Sequence, residues 1–259
     1  MHTAVTEPKL RMYLVVLLAG VFFLTSCKES SEQKSGQSSQ GQNANTATNE
    51  TEANSTAENE NQMVPVAIEL PKPMFVGTPT NIRVANLEKP LGKPRPPFLA
   101  PAGTTNVARG KPVASSDPQP IIGDLQMITD GDKEATDASL VELGPFLQHV
   151  TIDLGEVCDI YGVLVWHYHK QGRVYFDVIV QVADDPDFVT NVRTLFNNDI
   201  ENSAGLGIGE DMHYVETSEG KLIYAKGIKA RYVRLYSNGN NANDLNHYIE
   251  VEVYGKAAK

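Results

Sequence analysis

The chain has 259 residues, of which 41% are hydrophobic and 21% charged, and its formal net charge is −10 at pH 7. A chain this acidic, without a basic stripe, repels nucleic acid phosphates, so the composition argues against a nucleic acid partner. Only two cysteines are present, Cys27 and Cys158. If Cys27 is modified, Cys158 has no partner and the chain has no disulfide framework.

The first 26 residues have the features of a secretory signal. Lys9 and Arg11 precede the apolar run 12–24, which is shorter than the about 20 residues that a membrane-spanning helix needs. The run ends in Leu24-Thr25-Ser26-Cys27, which resembles the lipobox of bacterial lipoproteins. The resemblance implies cleavage before Cys27, acylation of that cysteine, and attachment to a membrane through the lipid. An ordinary cleavage site and a retained signal anchor are the alternatives.

The residues after the signal predict a tether. Residues 28–62 contain no aromatic residue and no valine, isoleucine, leucine or methionine, so they cannot bury enough apolar area to become ordered. With Cys27 they form a predicted disordered tether, 27–62, whose reach is about 30 Å. Lys28 stands where many inner-membrane lipoproteins of Gram-negative bacteria have an aspartate, so we expect an outer-membrane or cell-surface location.

Residues 63–103 differ from the tether because they are rich in proline and also contain apolar residues. Nine of the fifteen prolines lie here, with Val66, Ile68 and Phe75 among the residues between them. Proline is excluded from helix interiors and central strands, so the segment is predicted to be an extended arm. The composition fits an arm that packs along the domain and also fits a stiff spacer.

Residues 104–256 read as one domain made of short strands. Val150, Ile152 and Leu154 alternate with polar residues, and turn residues separate each apolar run from the next. Such a pattern predicts an all-β antiparallel sandwich or barrel. The predicted strands are 107–115, 147–154, 160–168, 175–183, 192–196, 222–224, 230–236 and 249–254.

Five short motifs in this domain resemble, in order and spacing, the signatures of discoidin domains, the coagulation-factor type C modules related to galactose-binding-like carbohydrate modules. They are Asn106–Val113, Ile128–Asp132, Val150–Gly155, Ala230–Leu235 and Ile249–Gly255. The resemblance implies an eight-stranded jelly-roll sandwich that binds carbohydrate through loops at one end, and it does not imply catalysis. The chain departs from the family in having no aromatic residue in 133–137 and Phe146 or Leu147 in place of the usual tryptophan.

The resemblance also implies a structural Ca²⁺ near the Asp-Gly turn. The positions that match the family's ligands are Met127, Asp130, Asp132, Ala135, Ile249 and Glu250. Hard oxygen ligands from a tight turn suit Ca²⁺. The alternative is an Asp-Gly turn capped by its own side chains, with Glu250 on a solvent-exposed face.

A second candidate site follows a predicted strand end at residues 166–175. Sugars are bound by an aromatic face together with planar polar groups, which predicts His169, Arg173 and Tyr175 as ligand-binding residues. Trp166 alternates with the apolar strand residues and is predicted to lie in the core. His167 and His169 could also chelate a transition metal, but ordinary hydrogen-bonded histidines are the alternative.

A third candidate is the glycine-rich loop 196–209. Long loops on rigid sandwiches often carry function, so Asn198 and Asp199 are predicted to line a ligand pocket, with simple turn formation as the alternative. No nucleophile–base arrangement is evident, and we expect the protein not to be an enzyme. The leading hypothesis is a surface lipoprotein that binds cell-envelope or extracellular polysaccharide. The alternative is a scaffolding module that binds a protein partner.

Overall fold

The computed structural model describes residues 62–259. The predicted signal 1–26, Cys27 and the tether up to residue 61 lie outside the described residues. The described part of the chain contains one short 3₁₀ helix, Leu125–Thr129, and eleven strands. The strands are β1 (Met63–Pro65), β2 (Leu99–Pro101), β3 (Thr105–Asn106), β4 (Val113–Ser115), β5 (Val141–Pro145), β6 (Gln148–Trp166), β7 (Ile179–Ala183), β8 (Arg193–Asn197), β9 (Lys221–Ser237), β10 (Leu245–Tyr248) and β11 (Glu250–Ala257).

The strands confirm the predicted all-β antiparallel class. Seven of them form one sheet in the order β3-β11-β6-β9-β7-β8, with β4 also paired to β6. β1 and β2 form a small separate sheet, and so do β5 and β10. Every pair of these strands is antiparallel. No helix within residues 62–259 is long and apolar enough to cross a membrane.

The two longest strands, β6 and β9, are paired along most of their length. Their pairing is interrupted between Asp153 and Cys158 and again between Ile160 and Gly162. Side chains from the two halves of β6, such as Val150 and Val165, belong to the same buried core. The two halves therefore line the same core, and the predicted runs 147–154 and 160–168 are parts of one strand.

The Pro-rich arm packs against the domain, which decides between the two alternatives for this segment. β1 pairs with β2, and Phe98 is only 3% exposed. Phe98 lies in a second apolar cluster with Trp166 and Tyr254, and Val66 packs against that cluster. Trp166 is fully buried, as its sequence pattern predicted.

The last strand, β11, is buried on both faces. Val251 and Val253 alternate with Glu250, Glu252 and Tyr254, which is the pattern of a strand with one solvent-exposed face. All five side chains are buried. The physical reason is that two parts of the chain cover this face: Glu250 and Glu252 contact Gly131 and Lys133 of the Asp-Gly turn, and Tyr254 packs in the second cluster with Phe98 of the arm.

Among the described residues, Cys158 is buried and free. Burial raises the pKa of its thiol, and the nearby Glu156 carboxylate adds to the effect. A protonated thiol is a poor nucleophile, so the position of Cys158 favours a packing role.

Candidate functional site

The loops that follow β6, β8 and β9 meet at one end of the sandwich. The backbone of the 166–179 loop bonds to that of the 238–249 loop, with Asn238 N donating to Phe176 O and Asn241 N donating to Val174 O, both at 2.9 Å. Glu216 N, from the 198–220 loop, donates to Arg173 O at 2.8 Å. We call this region the loop end. It brings together the predicted stretch 166–175 and the polar turn that follows β9.

His247 is the centre of a polar cluster at the loop end. Its Nε2 lies 3.0 Å from Glu142 Oε2 and its Nδ1 lies 3.0 Å from the Tyr175 hydroxyl. Burial lowers the pKa of His247 to about 3, with the nearby Arg173 guanidinium adding to the effect, so the ring is neutral. Because a carboxylate only accepts hydrogen bonds, Nε2–H donates to Glu142, and the Tyr175 hydroxyl then donates to Nδ1.

Arg173 covers this cluster from the solvent side. Its Nη1 lies 3.5 Å from both ring nitrogens of His247, so the guanidinium lies over the ring and not in its plane. The guanidinium carbon is 4.8 Å from the centre of the Tyr168 ring. Arg173 is therefore stacked between two rings with the Glu142 carboxylate close by. We call Arg173, His247, Glu142 and Tyr168 the arginine cluster.

The small β5-β10 sheet sets the geometry of this cluster. Glu142 on β5 is paired in register with His247 on β10, so the two side chains project from neighbouring strands. Neither β5 nor β10 is among the predicted strands. β10 is the run Leu245-Asn246-His247-Tyr248, which is too short and too polar to show a strand period. Glu142 and His247 were missed as site residues for the same reason.

A second pair of polar side chains supports the cluster from below. His167 Nδ1 lies 2.6 Å from Glu216 Oε1, and both side chains are fully buried. The His167 ring stacks on the Tyr175 ring at 4.4 Å. Removing one partner of such a buried pair leaves an uncompensated polar group and costs about 3–5 kcal/mol. This pair therefore holds Tyr175, and through it His247, in a fixed position.

The predicted ligand-binding residues occupy different depths. Arg173 is half-buried at the surface of the cluster. Tyr175 is only 1% exposed, and its hydroxyl bonds to His247. His169 is fully buried, and its Nε2–H donates to Lys133 O at 2.9 Å. His167 and His169 therefore bond to different partners. No group of three or more His, Cys, Asp or Glu residues in the described part of the chain is arranged to hold a metal ion.

Asn198 and Asp199 organise their own loop. Asn198 Oδ1 accepts a hydrogen bond from Val178 N at 2.7 Å, and the Asp199 carboxylate accepts from Ser203 N and Ala204 N. Burial acts to raise the pKa of Asp199, but these hydrogen bonds outweigh it and the pKa is lowered. Both side chains are buried. The structure thus gives these two residues the turn-forming role that the sequence left open.

Phe146 is an exposed aromatic side chain on a strained backbone at the same end. It is 79% exposed and its φ is +68°, a conformation that bulky residues rarely adopt. Asn246, next to His247, holds the segment in place by donating to Gly144 O and Phe146 O. An aromatic ring kept in solvent at a conformational cost of about 1–3 kcal/mol is a feature typical of functional sites.

The Asp-Gly turn contacts the last strand through Glu250. This side chain is fully buried, so the alternative that placed it on a solvent-exposed face is wrong. Its Oε2 accepts from Gly131 N at 3.0 Å, whereas its Oε1 is buried and has no hydrogen-bond partner among residues 62–259. Burial raises the pKa of Glu250 to about 9. The Gly131 bond opposes that rise, and the Glu252 and Asp130 carboxylates add to it.

The rest of the turn is capped by its own side chains, as the alternative to a metal site expected. Asp130 Oδ1 accepts from Asp132 N at 2.7 Å. The two Asp132 oxygens accept from Glu134 N and from the Ser139 hydroxyl. Gly131 has a φ of +87°, and a Cβ there would meet the Arg109 guanidinium, so this position requires glycine.

One part of the turn has oxygen ligands that suit a hard cation. Glu250 Oε1 is a buried carboxylate oxygen that lacks a donor, and Asp130 lies in the same turn. Both are oxygen ligands of the kind Ca²⁺ prefers. Both oxygens of the Asp132 carboxylate already accept a hydrogen bond, so its side chain is the least suited of the predicted acidic ligands.

No family model matches the sequence, and no curated protein matches it. The chain is similar to the solved structure of a family 32 carbohydrate-binding module of AlyQ in complex with 4,5-unsaturated mannuronic acid. The identity is 18% and the TM-score 0.41, over 55% of this chain and 92% of that chain.

Two further similar structures are of bacterial modules. One is a fucose-binding module of Streptococcus pneumoniae, with 16% identity and a TM-score of 0.42, covering 58% of this chain and 97% of that chain. The other is CpGH89CBM32-4 of Clostridium perfringens in complex with GlcNAc-α-1,4-galactose. Its identity is 18% and its TM-score 0.44, over 60% of this chain and 96% of that chain.

Proposed function

We propose that this protein binds carbohydrate at the loop end, through the arginine cluster and Phe146. The observation that carries the proposal is the placement of the Arg173 guanidinium between the Tyr168 ring and the neutral ring of His247. This arrangement places the planar N–H donors of Arg173 close to the Glu142 carboxylate, which is a hydrogen-bond acceptor. Sugar hydroxyls require such paired donors and acceptors, and the apolar face of a sugar ring packs on an aromatic side chain such as Phe146.

The sequence resemblance to discoidin domains supports the same proposal, because loops at one end of the sandwich carry ligand binding in that family. In this chain the cluster is rigid before any ligand arrives. The Tyr175–His247–Glu142 chain of hydrogen bonds fixes the ring of His247, and the β5-β10 pairing fixes Glu142. A preorganised site of this kind loses little entropy on binding.

A glycan array of the full chain, compared with Arg173→Ala, tests the proposal. We expect reproducible binding to at least one neutral glycan and its loss in the variant, with unchanged thermal melting. Arg193→Ala is a matched control, because Arg193 pairs with Asp184 on the exposed surface. The absence of any glycan binding, together with a reproducible protein partner, would favour the scaffolding alternative.

The resemblance of residues 24–27 to a lipobox supports a further part of the proposal. We propose that Cys27 carries lipid and that the protein is displayed at the outer membrane or cell surface. Labelling with a radioactive or clickable fatty acid should be lost in Cys27→Ser, and the protein should leave the membrane fraction. Undiminished membrane association of that variant would refute the anchor.

We also propose a structural Ca²⁺ at the Asp-Gly turn, where Glu250 and Asp130 with nearby backbone carbonyls would hold it. The unpartnered Glu250 Oε1 supports this assignment. The ion would neutralise a buried carboxylate and link the turn to the last strand. Its role would be stability, with no part in a chemical step.

A further inference from the structure

A groove runs between the Pro-rich arm and the chain that leads into β9. Its volume is about 780 Å³, within the size range of ligand-binding pockets. One wall is formed by parts of residues 73–96 and the other by parts of residues 214–224. The groove does not include the arginine cluster. We propose that it is a second ligand site, specific for a carboxylated oligosaccharide.

The charge of the groove points to an anionic ligand. The chain as a whole has a net charge of −10, yet the groove is lined by four cationic side chains and two acidic ones. Lys221 is neutralised by Glu88 at 2.7 Å. Lys89 and Lys93 are exposed, and neither forms an ion pair within residues 62–259. Two cations are therefore available to a ligand in a chain that otherwise repels anions.

Arg95 makes the site selective for a carboxylate. Its Nη1 donates to Glu219 O and Gly220 O, each at 3.1 Å, and its backbone N donates to Glu219 Oε2. These bonds fix the side chain and leave the Nε–Nη2 edge without a partner in the described residues. This edge is the one that pairs in a two-point fashion with a planar carboxylate.

The apolar part of the lining suits a sugar ring. Tyr224 is 53% exposed, and its ring is held by edge-to-face contact with Phe98 at 5.8 Å. Pro90 and Pro94 line the opposite wall. A single uronic acid unit has both an apolar ring face, which can pack on Tyr224, and a carboxylate, which can pair with Arg95 or the lysines. This combination matches the lining of the groove.

The single tryptophan of the chain can report on this groove. Trp166 Nε1 donates to Ser218 O at 3.0 Å, and Ser218 lines the groove. A Cβ at Gly220, another lining residue, would lie 2.8 Å from the Trp166 ring. A ligand that shifts this wall should change the emission of Trp166.

The test is titration of the full chain, in EDTA and about 0.15 M salt, with hexagalacturonate and with its fully methyl-esterified form. We expect the acid form to bind and to change Trp166 emission, and the neutral ester to bind about tenfold more weakly or not at all. The double variant Lys89→Ala/Lys93→Ala should weaken acid binding about tenfold. Both lysines are exposed, so the variant should melt as the wild type does.

Lys229→Ala is the matched control, because Lys229 is an exposed cation that pairs with Asp159 outside the groove; it should bind like the wild type. Equal affinity for acid and ester, or wild-type affinity in the double variant, would overturn the proposal. So would an absence of acid binding. Acid binding that Arg173→Ala abolishes and the double variant retains would place the ligand at the loop end and overturn it as well.

Discussion

The ring of Phe98 lies edge-on to the ring of Tyr254, with centroids 5.8 Å apart and an interplanar angle of 67°. Phe98 belongs to the Pro-rich arm and Tyr254 to the last strand. The contact closes the second apolar cluster, which also contains Trp166. The arm is thus part of the folded domain, and the predicted boundary at residue 104 would cut through a hydrophobic core.

Phe98→Ala should therefore destabilise the protein by about 3–5 kcal/mol, the usual effect of removing a buried aromatic side chain. The emission of Trp166 in the variant should move to longer wavelength earlier in a urea titration. The control is Leu99→Ala, at the neighbouring position, where the side chain is 48% exposed and the change should be small. Equal midpoints for the two variants would show that the arm does not contribute to the core.

A truncated chain beginning at residue 104 should have a red-shifted Trp166 emission even without urea. The reason is that it lacks Phe98, Ala100 and the other arm residues that cover the cluster. A chain beginning at residue 62 is the matched control and should emit like the full-length protein. Wild-type emission from the shorter chain would mean that the sandwich covers Trp166 by itself.

Phe146→Gly separates the strain at this position from its proposed role in binding. Glycine adopts a φ of +68° without strain, so the variant should unfold at the same temperature or a higher one. It also removes the exposed ring, so glycan binding should weaken by about tenfold, as expected for a lost aromatic contact of about 1.4 kcal/mol. Phe146→Ala should lose binding without the gain in stability. Wild-type binding by Phe146→Gly would remove Phe146 from the site.

His149 should make the folded protein less stable in mild acid. Burial lowers its pKa to about 4, and the positive Arg234 adds to the effect. Between about pH 6.5 and pH 4 the unfolded state binds a proton that the folded state does not, so stability falls as pH falls through this window. The slope from one such proton is at most about 1.4 kcal/mol per pH unit.

The test is urea unfolding at several pH values in that window for the wild type and for His149→Phe, which keeps an aromatic ring beside Tyr236 and cannot titrate. The slope should be smaller in the variant. Burial also lowers the pKa of His213, so this second histidine should contribute a slope of the same sign that remains in His149→Phe. An unchanged slope in His149→Phe would assign the acid sensitivity to other groups.

Calcium should raise the melting temperature of the full chain if Glu250 and Asp130 hold the ion. At a hundredfold excess over Kd the expected stabilisation is about 2.7 kcal/mol, which corresponds to roughly 5–10 °C. Glu250→Gln should remove most of the difference between calcium and EDTA. Glu252→Gln should keep that difference, although it loses the 2.8 Å ion pair with Lys133 and should melt lower in both conditions. Identical wild-type melts, with no metal by elemental analysis, would leave a turn held only by its own side chains.

The sequence by itself determined the class of the fold and much of its core. Alternating apolar residues at Val150, Ile152, Val233 and Leu235 predicted strands, and all four side chains are fully buried. The same local pattern placed Trp166 in the core. It also placed Arg173 after a strand end, and the structure has that residue in the loop after β6. These features depend on neighbours a few residues apart, which a sequence pattern records directly.

Only the tertiary structure decided which distant residues meet. His247 and Glu142 are 105 residues apart in the sequence, and their contact depends on the pairing of two strands too short to show a period. The burial of Glu250 and Glu252 depends on the segment 130–133, which reaches them from more than a hundred residues away in the sequence. Burial on a second face and contacts between loops arise from chain topology, and local alternation carries no information about either.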